Sequence, residues 1–132
     1  MSTITKIFAG LAGVIHVLFF LMESVFWMTP AIHGIFLVES VEVAEALNVY
    51  VKNQGYYNLF LALGMFAGIA LLSRNRVAGR TLIGFVCLVM IGAALVLRFT
   101  IPDMASGPYI QGVAPLIALI TLLLDSGRKP TL

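Results

Sequence analysis

Residues 81–100 read TLIGFVCLVMIGAALVLRFT, an apolar run of 20 positions interrupted by one charge, Arg98, close to its end. As a helix rising about 1.5 Å per residue it measures about 30 Å, the thickness of a bilayer's hydrocarbon core. As a lone strand it would leave amides and carbonyls unpaired in lipid. The run is therefore a transmembrane helix. Outward from it, residues 54–72 form a second such run on the N-terminal side and residues 109–124 another on the C-terminal side. Ile101-Pro102-Asp103 and Ser106-Gly107-Pro108 supply turn-forming residues between the last two. Residues 4–28 make the remaining run. It stops at Thr29-Pro30, because proline disfavours a helical residue before it. The expected fold is an all-α membrane protein, a four-transmembrane-helix bundle forming one domain over residues 1–132.

Composition agrees. Of 132 residues 61% are hydrophobic and 11% charged, against about 45–50% and about 25% in a soluble domain. A soluble chain this short has too much surface for its volume to hide that apolar content. The net charge of +2 is too small to point to nucleic acid, so none is expected as a partner. The single cysteine, Cys87, lies in an apolar run and has no internal disulfide partner. Lys6 followed by apolar residues resembles the start of a signal peptide. The run passes through Glu23 to Trp27 without a small-residue cleavage site, so it is expected to be a retained first helix.

Basic residues set the expected topology. Arg74, Arg76 and Arg80 crowd the second connection without an acid, Arg128 and Lys129 follow the last helix, and Lys6 lies near the start of the first. The first connection carries Glu39, Glu42 and Glu45 against Lys52. The positive-inside rule then puts both termini in the cytoplasm. In that first connection Val41, Ala44, Leu47, Tyr50 and Val51 recur at helical spacing opposite Glu42, Glu45 and Asn48. The pattern predicts a short amphipathic helix between helices one and two, near the outer interface.

Polar groups within spans are costly and usually face the bundle interior or a wet cavity. His16 and Glu23, seven residues apart, share one helical face with Phe20 and Trp27. The second helix opens Asn53-Gln54-Gly55-Tyr56-Tyr57-Asn58, where Gln54 and Asn58 share a face and Asn53 and Tyr57 the adjacent one. Arg98 ends the third helix, while Tyr109 and Gln111 begin the fourth. On the expected topology all of these fall in the outer half, with His16 at its floor. The inner half offers little beyond hydroxyls. His16, Glu23, Trp27, Asn53, Gln54, Tyr57, Asn58 and Arg98 are thus the candidate ligand-binding residues, and Glu23 and His16 the candidate acid–base pair. Each has a plainer alternative. Glu23 could pair with Arg98, His16 could bond a backbone carbonyl, the amides could serve as interhelical glue, and Trp27 and Tyr109 could belong to an interfacial aromatic belt. Gly64 and Gly68 form a small-xxx-small motif for close packing, inside the bundle or in a homo-oligomer. His33 could approach the same outer surface, but the donors fit no metal signature, and no metal or cofactor is expected.

The run His16…Glu23…Trp27-Met28-Thr29-Pro30, with Asn53-Gln54-Gly55-Tyr56-Tyr57-Asn58 opening the second helix, resembles a family of small bacterial membrane proteins, domain of unknown function 1304. The resemblance covers most of the chain, and its second motif is the more specific. It implies four spans in a bacterial inner membrane and brings no settled activity.

Three functions stay open. One is an outward-facing polar pocket for a small amphipathic or lipid-like molecule, with or without isomerase-like acid–base chemistry. Another is proton-coupled transport by a dimer, although Glu23 lies off the midplane where alternating access wants its site. The third is an accessory subunit whose polar cluster only locks the bundle. Membrane lipids are partners in every case.

Overall fold

The computed structural model describes residues 1–104 and 106–126, and among them no strand occurs. Four helices are long and apolar enough to cross a membrane, so the chain is a multi-pass membrane protein. Helix α1 spans Thr3–Phe20, with the Ser2 hydroxyl accepting from the Thr5 amide at 3.2 Å as its N-cap. It runs without a break into a single π-helical turn, Leu21–Val25. Proline at the first position of a short helix costs no hydrogen bond, and Pro30 opens α2, Pro30–Ile35. Helix α3 spans Val41–Leu71, α4 spans Arg76–Thr100 and α5 spans Gly107–Ser126.

Two expectations about the first connection change. The amphipathic stretch near residues 41–51 is not a separate helix. It forms the first turns of α3, which at 31 residues is about 46 Å long and overshoots the hydrocarbon core by about 16 Å. Nothing between Tyr50 and Gln54 breaks the helix, so the change from amphipathic to apolar pattern marks a change of surroundings. The separate helix of this connection is α2. The first span also leaves regular α-helical form at Phe20, earlier than residue 28. After α2 the chain turns through Leu37, whose φ of 63° is left-handed and costs about 1–2 kcal/mol for a residue with a Cβ.

The long helices pack as a closed ring in the order α1, α3, α4, α5, and α5 returns to α1. Helices α1 and α4 are therefore diagonal to each other. Small residues let the backbones close in, as is common where lipid offers no hydrophobic drive to association. A Cβ on Gly79 would lie 2.7 Å from the Gly68 carbonyl oxygen. One on Gly68 would meet Ile83 at 2.8 Å, and one on Gly64 would meet Val86 at 3.2 Å. The Gly64/Gly68 face considered for a homo-oligomer is thus occupied within the bundle. Between the helices lie Ala9, Ala12, Met65, Ile83, Val86, Cys87, Met90, Ala114, Ala118 and Leu122. Large side chains such as Phe85, Val96 and Phe99 point outward, where lipid is their solvent.

One end of the bundle holds the N-terminus, the α3–α4 turn and the end of α5. There the Ser2 amide donates to Asp125, Thr5 Oγ1 donates to Thr121 Oγ1 at 2.9 Å, and Arg80 donates to the Leu122 carbonyl at 2.7 Å. Arg74 and Arg76 belong to the same end; Arg128 and Lys129 lie outside the described residues. We call this the terminal end, and the opposite one, with α2 and the α3 overhang, the distal end.

Candidate functional site

The π-helical turn holds Glu23 at its centre, closed by the Phe26 amide on the Leu21 carbonyl at 2.9 Å. Such turns are rare and frequently mark functional positions, because the extra residue redirects side chains that a regular helix would place elsewhere. Helix α3 meets this turn at Gly55. A Cβ there would lie 2.2 Å from Ser24 Oγ and 3.0 Å from Glu23 Cβ, so only glycine permits the approach. Ser24 seals the contact by donating to the Lys52 carbonyl at 2.9 Å.

One turn along α3 from Gly55, Asn58 Nδ2 donates to Glu23 Oε2 at 2.7 Å. Both side chains are buried, at 5% and 7% exposure respectively. Among the described residues, the other carboxylate oxygen takes no hydrogen bond and no cation pairs with Glu23. A carboxylate in this setting is expensive unless something else completes it.

Toward the middle of α1, His16 is fully buried. Its Nδ1 lies 2.9 Å from the Ala12 carbonyl oxygen. A carbonyl can only accept, so Nδ1 donates, and in the neutral ring Nε2 then keeps a lone pair. That Nε2 is buried without a partner. The backbone-carbonyl bond considered for His16 exists, yet it satisfies only half of the ring. His33 repeats the pattern at the distal end, with Nδ1 on the Val38 carbonyl at 2.5 Å and Nε2 buried and unpartnered. Among the described residues no three His, Cys, Asp or Glu side chains gather where they could hold a metal ion.

Trp27 is neither an interfacial belt residue nor an open wall. It is 3% exposed, donates from Nε1 to the Ala44 carbonyl at 2.8 Å, and packs on Phe36 and His33. It rivets α2 beneath the overhang of α3. Asn53, Gln54 and Tyr57 are exposed on α3. Arg98 is exposed on α4, diagonal to α1, beside a surface groove of about 170 Å³ between α4 and α5 that Tyr109, Pro108 and Gly112 also line. The pairing considered for Glu23 and Arg98 does not occur. Of the candidates, then, Glu23 and Asn58 meet, His16 lies buried on the same helix as Glu23, and the other five stand apart.

Three residues join the site from positions not singled out as candidates. Gly55 and Ser24 fix the approach of the helices. Tyr56, 43% exposed, packs edge-on to Phe20 at 5.3 Å between centroids and lies 6.5 Å from Phe60. These aromatics line the outside of the α1–α3 seam beside Glu23. A glycine next to a buried amide, and aromatics at i and i+4, were the available signals.

Fold and site together define a small four-span membrane protein with a buried carboxylate–amide pair on the seam between its first two spans. The chain matches the family described as "Protein of unknown function (DUF1304)" over residues 10–123 and belongs to it. No curated protein and no solved structure matches the chain.

Proposed function

We propose that this is a bacterial inner-membrane protein with both termini in the cytoplasm, whose outward half takes up a small amphipathic or lipid-like molecule at Glu23. The distal end then faces outward, as the arginines of the α3–α4 turn favour. One observation supports the reading: Glu23 is buried within a span and, among the described residues, holds a single hydrogen bond, from Asn58, and no ion pair. A group placed only to lock helices would be completed by its neighbours. This one is left with acceptor capacity, and it sits on a π-helical turn whose geometry is maintained by a glycine. Glu23 is also the group placed to exchange a proton with a bound molecule, which is where isomerase-like chemistry would enter.

The transport reading gains less. The interior toward the terminal end is filled by Ala9, Ala12, Met65, Ile83 and Cys87, which offers no polar path.

The test is native mass spectrometry of the detergent-purified protein, wild type beside Glu23→Gln and Asn58→Ala. We expect a co-purifying small molecule on the wild type that both folded variants lose. Three bare proteins, with the variants merely less stable, would return the cluster to a structural role. A reporter fusion placing the C-terminus outside would reverse the sidedness and leave the site intact.

A further inference from the structure

Granting that Glu23 receives a ligand, we infer that the ligand is a cationic amphiphile: an alkylammonium whose head sits against the Glu23 carboxylate and whose tail lies along the α1–α3 seam in lipid.

The argument begins with an inventory of what the site leaves unfilled. Glu23 accepts one hydrogen bond through Oε2 and none through its other oxygen. An ionised carboxylate offers about four lone-pair positions, so most remain open. His16 Nε2, held as a lone pair by the proton on Nδ1, is buried and accepts nothing. Seven residues along a helix at about 1.5 Å each put it about 10 Å deeper than Glu23. Both unmet groups are acceptors, at two depths along one helix. A ligand whose head completes Glu23 must bring donors; His16, about 10 Å deeper, is out of reach of that head. A carboxylate, sulfate or phosphate head would instead add lone pairs and negative charge beside Glu23, where among the described residues no cation forms an ion pair: Arg98 is on the diagonal helix, and Lys52, whose carbonyl accepts from Ser24, is exposed.

Charge separates the remaining donors. A hydroxyl supplies one hydrogen bond and no charge to keep Glu23 ionised. An ammonium supplies three donors and the positive charge that would hold Glu23 as a carboxylate, in a medium where unpaired charge is costly.

The outside of the seam makes an independent case. Phe20, Tyr56 and Phe60 form an aromatic row at the surface of α1 and α3, with Phe20 edge-on to Tyr56. Phe20 is one turn from Glu23 on the first span, and Tyr56 adjoins Gly55, the residue that touches the π-helical turn. Aromatic faces attract ammonium groups, and more strongly where water is excluded. They offer nothing comparable to an anion. A cationic head moving along the lipid–protein boundary thus meets an aromatic row, set edge-on and tilted, that begins one turn from Glu23.

The experiment compares three probes that share a tail and differ in head: dodecylammonium, dodecanol and dodecanoate. Each is titrated into the full-length protein in a neutral detergent and read by native mass spectrometry. We expect the wild type to hold dodecylammonium at least about tenfold more tightly than dodecanol, and to show no specific dodecanoate adduct. Glu23→Gln keeps an acceptor for Asn58 and so preserves the fold, and it should remove the ammonium preference. Tyr56→Leu, on the surface of the seam, should weaken dodecylammonium several-fold and leave dodecanol unchanged. A Glu23-dependent site that prefers dodecanol or dodecanoate, or shows no head preference, overturns the cationic assignment while the proposed binding at Glu23 stands. Binding of none of the probes at Glu23, together with a bare purified wild type, overturns both.

Discussion

At the scale of single residues, the seam between α1 and α3 depends on an absence, the missing side chain of Gly55. Gly55→Ala would drive a methyl into Ser24 Oγ, which stands 2.2 Å from the ideal Cβ position. We expect a loss of about 1–3 kcal/mol, as for other overpacked sites, seen as a lowered unfolding temperature in detergent. Gly10→Ala is the control: its Cβ would meet nothing within 4 Å, and alanine favours the helix by up to about 1 kcal/mol. The Glu23–Asn58 hydrogen bond makes a second comparison. Interhelical hydrogen bonds in membranes average about 0.6 kcal/mol in double-mutant cycles. With both partners buried, we expect the Glu23→Ala/Asn58→Ala cycle to exceed that average, at about 1–2 kcal/mol. A coupling near zero would mean that the two side chains meet without depending on each other.

Glu23 and Asn58 were legible in the sequence because both are out of place in lipid, and such residues must find company. Their partnership was not legible, since Arg98 looked the natural partner on charge and depth alone. What decided otherwise is ring order, which a linear chain does not display: residues at one depth can sit on diagonal helices.

At the scale of elements, the four spans follow from length and hydropathy alone. The π-helical turn does not, because Leu21-Met22-Glu23-Ser24-Val25 contains no glycine or proline to signal an irregularity. Thr29-Pro30 was read as the stop of one helix, and the same proline also starts α2. The overhang of α3 was read as separate because its apolar pattern changes where the helix leaves the membrane. These points can be checked by labelling. In a Cys87→Ser background, we expect a cysteine at Val49, 77% exposed, to react with a membrane-impermeant maleimide. One at Leu63, 53% exposed but within the span, should stay unreactive, because its surroundings are acyl chains. Failure of both to label would place the overhang in the bilayer. Trp27→Phe removes the indole donor to the Ala44 carbonyl and should cost about 1 kcal/mol, the net worth of a buried hydrogen bond. Hydrogen exchange over residues 30–36 should rise with it, since α2 has lost its rivet.

At the scale of the whole molecule, the two ends are built differently. Hydroxyls, Asp125 and Arg80 cross-link the terminal end through several helices. The distal end is lopsided: α2 and the α3 overhang cover the side of the first two spans, while α4 and α5 are joined by the short link of residues 101–106. Motion that opens the bundle therefore has more freedom at the distal end than at the cross-linked terminal end.

The uninterrupted length of α3 turns that freedom into a signal. The helix is one rod from the buried core to a tip standing clear of the bilayer, and Gly55 is where it rests on its neighbour. Val41 lies about 21 Å beyond that resting point, so a tilt of about 10° there would swing the tip by about 4 Å. The overhang is then a pointer: an opening at the seam of the size of one methylamine, invisible in the core, would be magnified at the membrane surface. A spin label at Val49, paired with one at Val96 on α4, would register whatever enters beside Glu23 without touching it.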